Sequence, residues 1–265
     1  MTAKLEDHAD RFLPYLSARE IEELDKENSI ILLPIASIEQ HGPHLPVYTD
    51  SLIAREVLDR ILTKSKDDLP LYTLPLLSYG RSVEHLGFSG TVSLSSETLL
   101  CVLQEIAGSV SRMGFRRLVI LNAHGGNSEL IDVAMRDIRT QNDLFVFGLH
   151  VFLRIGVPKI GLSEEEMIFG IHAGDIETSI LLHSHPELVQ MDHAPDAIPG
   201  HLLDGKTPPF ADPLNFAWLT RDITKTGVLG NARTADPVRG GQYLEDAASE
   251  CVQLLEKVSR FSFNP

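Results

Sequence analysis

Cysteine is scarce in this sequence: the 265 residues contain two, Cys101 and Cys251, and neither belongs to a C-x-x-C pair. That excludes a disulfide framework and a cysteine-held metal site, and both thiols, set in apolar helix-like surroundings, read as core residues. Long hydrophobic runs are missing too: no apolar stretch reaches the ~20 residues that a membrane span requires. The opening M-T-A-K-L-E-D-H-A-D has no apolar signal core, so a soluble cytoplasmic protein is expected. Basic residues are in the minority, 23 Lys and Arg against 37 Asp and Glu, for a formal charge of −14 and no Lys/Arg cluster, which argues against a nucleic-acid surface. The acidic stretches 20–27 and 164–166 read as solvated surface. There is no internal repeat and no linker, so residues 1–265 are read as a single domain, a length suited to one large α/β unit. A hydrophobic content of 43% with 23% charged residues is that of an ordinary globular protein, which excludes disorder.

Against this plain background one stretch stands out. Residues 31–50 read I-L-L-P-I-A-S-I-E-Q-H-G-P-H-L-P-V-Y-T-D, an apolar strand that breaks at Pro34 and empties into a loop carrying Glu39, His41, His44 and Asp50. Imidazole and carboxylate are the donors that suit Zn, Mn or Fe, and a carboxylate has two oxygens with which to bridge two ions. Glu39 and His41, two apart in extended backbone, point to the same side about 7 Å apart at roughly 3.3 Å per residue, near enough to converge on one centre or on two neighbouring ones. Pro43 and Pro46 stiffen the loop, and Gly42 lets its backbone approach a bound group. The bland alternative is a polar surface loop.

The rest of the chain alternates. Ser17, with Glu20 three residues later, predicts a capped helix over 17–24; strands are expected at 29–34, 69–77, 116–122 and 144–151, and helices after Asp50 and at 96–113, 128–140 and 243–260. A loop with His85, Gly87 and Gly90 follows the second strand; His124 follows the third; His172 and Glu177 open a further helix. The Gly-punctuated segment 222–241 is expected to be a loop that closes over the site or meets a neighbouring subunit. The alternation predicts an α/β three-layer sandwich: a mostly parallel central sheet with helices on both faces. Ligands of such sheets lie beyond the carboxyl ends of the strands, where the polar clusters fall.

At these residues the sequence resembles the creatininase family. The matching segments are S-I-E-Q-H-G-P-H-L-P, the T-D of Thr49 and Asp50, H-L-G-F-S-G-T-V-S-L, L-N-A-H-G-G-N and H-A-G-D-I-E-T-S, in family order between about 29 and 185, with a weaker match at 227–235. The resemblance implies two divalent metal ions per chain, Zn, Mn or Fe. Asp50 would bridge them, Glu39 and His124 would complete one site, and His41 and Glu177 the other. His172 would be the catalytic histidine, passing a proton to a leaving nitrogen. His44 and His85 are expected either to support the ligands from behind or to stabilise loops, and Gly125, Gly126 and Asn127 to contact substrate or ligands. The implied reaction is hydrolysis of an amide or cyclic amide C–N bond in a small polar substrate, outside the peptide class, by a homo-oligomer, commonly a hexamer.

The departures bear on substrate. Creatininase itself has an aromatic residue and a further metal-binding glutamate where this chain has Gly125 and Gly126, and tryptophans where it has Ile168 and, in a looser alignment, Phe152. Those tryptophans enclose the creatinine ring, so creatinine is not the expected substrate. In the wider family the H-G-G-N form is similar to that of a formamidopyrimidine deformylase, a mycofactocin-maturing peptidase and a keto-inositol ring hydrolase. Formamide hydrolysis, ring hydrolysis and a non-catalytic metal-binding role stay open as alternatives.

Overall fold

The computed structural model describes residues 8–156, 161–200, 202 and 216–263. Its centre is a four-stranded parallel sheet built from β1 (Ile30–Ile35), β2 (Leu71–Thr73), β3 (Arg117–Asn122) and β4 (Phe145–His150) in the order β2-β1-β3-β4. β1 and β3 pair over six residues, from Ile30 opposite Arg117 to Ile35 opposite Asn122. Both central strands are buried along their whole length, as the unbroken apolar runs require when helices cover each face of a parallel sheet.

Alternation along the strands sorts the core into two layers. Ile31, Leu33, Ile35, Leu118 and Ile120 face α3 (Ser96–Arg112) and α4 (Ser128–Gln141), whereas Ile30, Leu32, Val119 and Leu121 face α2 (Thr49–Lys64), α6 (Asp175–Ser184) and α8 (Pro237–Ser259). Fully burying a side chain of this kind contributes about 1.5–3 kcal/mol, so both layers are strongly held. The short α1 (Ala18–Glu23) has the anticipated capping box between Ser17 and Glu20. α5 (Glu164–Phe169) and α7 (Thr220–Ile223) are short helices, and β5 (Asp196–Ala197) and β6 (Gly230–Asn231) form a small antiparallel pair.

Several expectations need correction. β1 does not break at Pro34 but runs on to Ile35, because the Pro34 carbonyl still accepts from Leu77 at 3.0 Å and the ring removes only one donor. β2 is far shorter than 69–77: Pro70 and Pro75 bracket it, and Leu77 rejoins the sheet through a single bridge to Ile35. The segment 222–241 is not one loop, since α8 begins at Pro237, capped by Asp236, and takes in Gly240 and Gly241. A side chain at Gly240 would stand 1.9 Å from the Ser179 carbonyl, so glycine lets α8 close directly onto the backbone of α6. Cys251 is buried as expected, but Cys101 is exposed on α3. Glu166, read as solvated, is buried: its Oε1 accepts from Asp175 N at 2.8 Å and its Oε2 from Asn231 N at 2.6 Å.

Candidate metal centre

The two central strands end side by side, and the loops they feed carry the site. After β1 the chain is pinned by Glu39 N donating to the Val47 carbonyl at 3.0 Å, then turns into α2 with Asp50 in its first turn, where the helix dipole favours a carboxylate. After β3, buried Asn122 fixes His124: its Nδ2 donates to the His124 carbonyl at 2.7 Å and its Oδ1 accepts from His124 N at 3.2 Å. Asn127 staples three segments together, with Oδ1 accepting from Arg81 N at 2.8 Å and Nδ2 donating to the Ala36 carbonyl at 3.1 Å. Glu177 lies in the first turn of α6 and accepts from Ala173 N at 2.5 Å. That contact holds Ala173 at a φ of 53°, a left-handed conformation that an alanine adopts only under such constraint.

Asp50 is the hub. Its Oδ1 lies 3.1 Å from His41 Nε2 and its Oδ2 lies 3.1 Å from His124 Nδ1. Glu177 Oε2 is 3.7 Å from His41 Nε2, and Glu39 Oε2 is 3.3 Å from His124 Nε2. Glu39 Oε1 faces the other rings, 3.4 Å from His172 Nδ1 and 3.5 Å from His85 Nε2. The ligand atoms of Glu39, His41 and Asp50 all lie within 4.8 Å of one another, as do those of His41, His172 and Glu177 and those of Glu39, Glu84 and His124.

Hydrogen bonds behind the rings fix which nitrogens hold lone pairs. A carbonyl only accepts, so His41 Nδ1, 3.0 Å from the Glu39 carbonyl, carries the proton of the neutral ring and leaves Nε2 to meet Asp50 lone pair to lone pair. His172 likewise donates from Nε2 to the Gln40 carbonyl at 2.7 Å and turns Nδ1 inward. His124 meets oxygen on both sides, Asp50 at Nδ1 and the Arg81 carbonyl, 3.0 Å away, at Nε2, yet a neutral imidazole has one N–H. Glu39 Oε2 and Asp50 Oδ2 are buried and accept no hydrogen bond. Lone pairs facing lone pairs, with orphaned buried carboxylate oxygens, call for positive charge, and these nitrogen and oxygen donors fit divalent Zn, Mn or Fe.

The electrostatics agree. Burial pushes the Glu39 carboxyl up to about 8 against the pull of His124. For His41 and His124 burial alone would lower the basicity, but Asp50 beside the first and Glu39 beside the second overcome it and raise both to about 10. Burial raises Asp50 as well, and the imidazole of His41 outweighs it and holds the carboxyl below its ordinary range. The site competes for positive charge, whether protons or metal.

All six residues expected as ligands or catalyst converge here. His85 joins them from the side: its ring stacks on His172 at 4.0 Å between centroids, and its Nδ1 accepts from Gln40 Nε2 at 2.8 Å. His44 stands apart, with Nε2 2.9 Å from the Thr178 hydroxyl, tying the loop to α6. Gly125 borders open space and Gly126 packs against Glu84. Sequence reasoning passed over Gln40, whose amide also donates to the Gly227 carbonyl at 2.8 Å, and Glu84, which looked like a loop charge beside His85.

Comparisons with known proteins point to one family. The family model described as creatinine amidohydrolase matches residues 14–255. A mycofactocin precursor peptide peptidase of Mycobacterium ulcerans is 34% identical over 236 residues, 86% of this chain and 84% of that protein. A creatinine amidohydrolase of Pseudomonas putida is 31% identical over 255 residues, 89% of this chain and 90% of that one. A solved structure titled "Creatininase Mn" superposes with a TM-score of 0.74 at 26% identity, covering 93% of this chain and 98% of its own. With the family model spanning nearly the whole fold and the parallel sheet shared with a solved member, the chain belongs to the creatininase family.

Proposed function

We propose that this chain hydrolyses an amide or cyclic amide C–N bond at a centre of two divalent cations. The observation that carries the reading is Asp50, which presents one oxygen to His41 and the other to His124, each at 3.1 Å. His41 and Glu177 would hold one ion, Glu39 and His124 the other, with Asp50 between them. Such cations, when bound, acidify water toward a pKa of about 7 and polarise a carbonyl.

The residues around them divide the remaining work. His172 takes the proton from the attacking water on Nδ1, then returns it to the leaving nitrogen, while Nε2 stays anchored on the Gln40 carbonyl. Burial, helped by His85 and His41, holds this imidazole well below its ordinary pKa, so it waits unprotonated. His85, held by Gln40, keeps its Nε2–H toward Glu39. The backbone N–H groups of Gly125 and Gly126 are donors for the oxyanion. A small polar substrate outside the peptide class is the first reading. A peptide amide is the second, favoured by the open space beside Gly125 and by the 34% identity to a protein named as a precursor peptide peptidase. Ile168 is 38% exposed where a ring-enclosing tryptophan would stand in creatininase, and this disfavours creatinine.

The same reading has a cytoplasmic homo-oligomer, a hexamer, whose mass in solution is measurable by light scattering; a monomer would remove that element. No helix among the described residues is long and apolar enough to cross a membrane. Elemental analysis of protein purified without chelator, paired with a hydrolysis screen over creatinine, formamidopyrimidines, small cyclic amides and short peptides, tests the whole. About two divalent ions per chain with turnover of one class supports the reading and names the class. Metal-free protein that no added ion activates would overturn it.

A further inference from the structure

Glu84 belongs to a turn, Val83–His85, that lies far in sequence from β1 and β3 yet reaches the same centre. Its Oε1 is 3.8 Å from His124 Nε2. Among the described residues it pairs with no lysine or arginine and accepts no hydrogen bond, although its side chain is only 17% exposed. The orphaned Oε2 of Glu39 lies 3.3 Å from that same His124 nitrogen. Two carboxylates closing on one imidazole repel each other unless a cation separates them.

A second observation, on a different loop, shows that the place is built. A Cβ at Gly126 would stand 2.2 Å from Glu84 Oε1, 2.6 Å from His124 Nε2 and 2.7 Å from the Arg81 carbonyl. No side chain fits there, because Glu84, His124 and the Arg81 carbonyl crowd the same point. By contrast, a Cβ at neighbouring Gly125 would meet nothing within 4 Å. The glycine at 126 is therefore a seat, and the carboxylate that occupies it comes from the turn 83–85.

We propose that Glu84 is a ligand of the cation on the Glu39 and His124 side, delivered across the site into the space that Gly126 vacates. The inference rests on the two-cation reading above. It gives that cation a second glutamate, so that Glu39 and Glu84 supply oxygens beside the nitrogen of His124, a donor set that suits Mn as well as Zn.

Calorimetric titration of metal-stripped protein with Zn²⁺ alone separates the possibilities, with circular dichroism recorded on each variant to establish that it is folded. Wild type takes up two ions. Glu84→Gln, which preserves shape and removes charge, retains one ion and weakens the other at least about tenfold. Glu84→Asp, which keeps the carboxylate on a shorter arm, weakens the same ion by less than Glu84→Gln does. Two ions bound by Glu84→Gln with wild-type affinity would overturn the assignment of Glu84 and leave the two-cation reading standing. No ion bound by wild type would overturn that reading and this inference together.

Discussion

Arg117 and Asp50 are both charged and both buried, and they lie at opposite ends of the same sheet, but their surroundings differ. At the amino end of β3 the guanidinium of Arg117 donates to backbone carbonyls all round: Nε to Val258 at 3.2 Å, Nη2 to Phe261 at 3.2 Å, and Nη1 to Glu27. At the carboxyl end Asp50 and Glu39 each keep an oxygen that accepts nothing. A buried charge whose hydrogen bonds the fold itself completes is a fastening, here joining the C-terminal segment to the sheet. A buried charge left incomplete marks where an outside partner belongs. Glu166 falls with Arg117, because two backbone N–H groups satisfy its two oxygens.

The sharpest way to break this contrast is at Asp50. Asp50→Ala removes the oxygens facing His41 and His124 together, and we expect loss of both metal ions and of activity, read by elemental analysis and turnover; a variant that kept both ions would show that the hub is elsewhere. Next in size is His172→Ala, where metal content stays at the wild-type value and turnover falls by about 10²–10⁴. Metal loss in that variant would make His172 a ligand rather than a proton carrier. Arg117→Met tests the other end: leaving three carbonyls without a donor costs about 1–3 kcal/mol in a denaturant melt with metal content unchanged. A drop in metal content there would erase the distinction between fastening and site.

The most gradual effect is with pH. His41 and His124, raised from an ordinary 6.5 to about 10, stabilise the metal-free fold below pH 6.5, and that stability drains away as pH climbs toward 10. Glu39, raised from 4.5 to about 8, works in the same direction, because the folded state must give up a proton it holds more tightly than the unfolded chain does. His44 and His85, lowered to about 4 and about 3, act only below pH 6.5 and leave this window untouched. Metal binding needs the deprotonated ligands, so it strengthens over the same range. The melting temperature of metal-free protein should therefore fall from pH 6.5 to 10 while the gain from added Zn²⁺ widens; parallel curves would show that the metal does not meet these groups.

Much of this was legible in the sequence, for a physical reason. Parallel strands end at one edge, so Glu39, His41 and His124, each within a few residues of a strand end, had to meet, and Asp50 and Glu177 open helices at that same edge. What stayed hidden depended on contacts between distant segments. Glu84 resembles any loop glutamate until the fold sets it against Gly126, and Gln40 shows its role only once Gly227 and His85 reach it. Glu166 sits in an acidic run that reads as surface, and only the backbone of Asp175 and Asn231 draws it inward. Gly240 and Gly241 read as loop residues because the Ser179 backbone that demands a glycine at 240 is some sixty positions away.

The central claim is that Asp50 stands between two cations. Mn²⁺ added stepwise to metal-stripped protein and followed by electron paramagnetic resonance tests it directly. The account predicts that the free-ion signal stays suppressed until two ions per chain have bound, with the spectrum of a coupled pair that Asp50→Ala abolishes. A free-ion signal growing from the first addition, or one isolated ion at saturation, would contradict it.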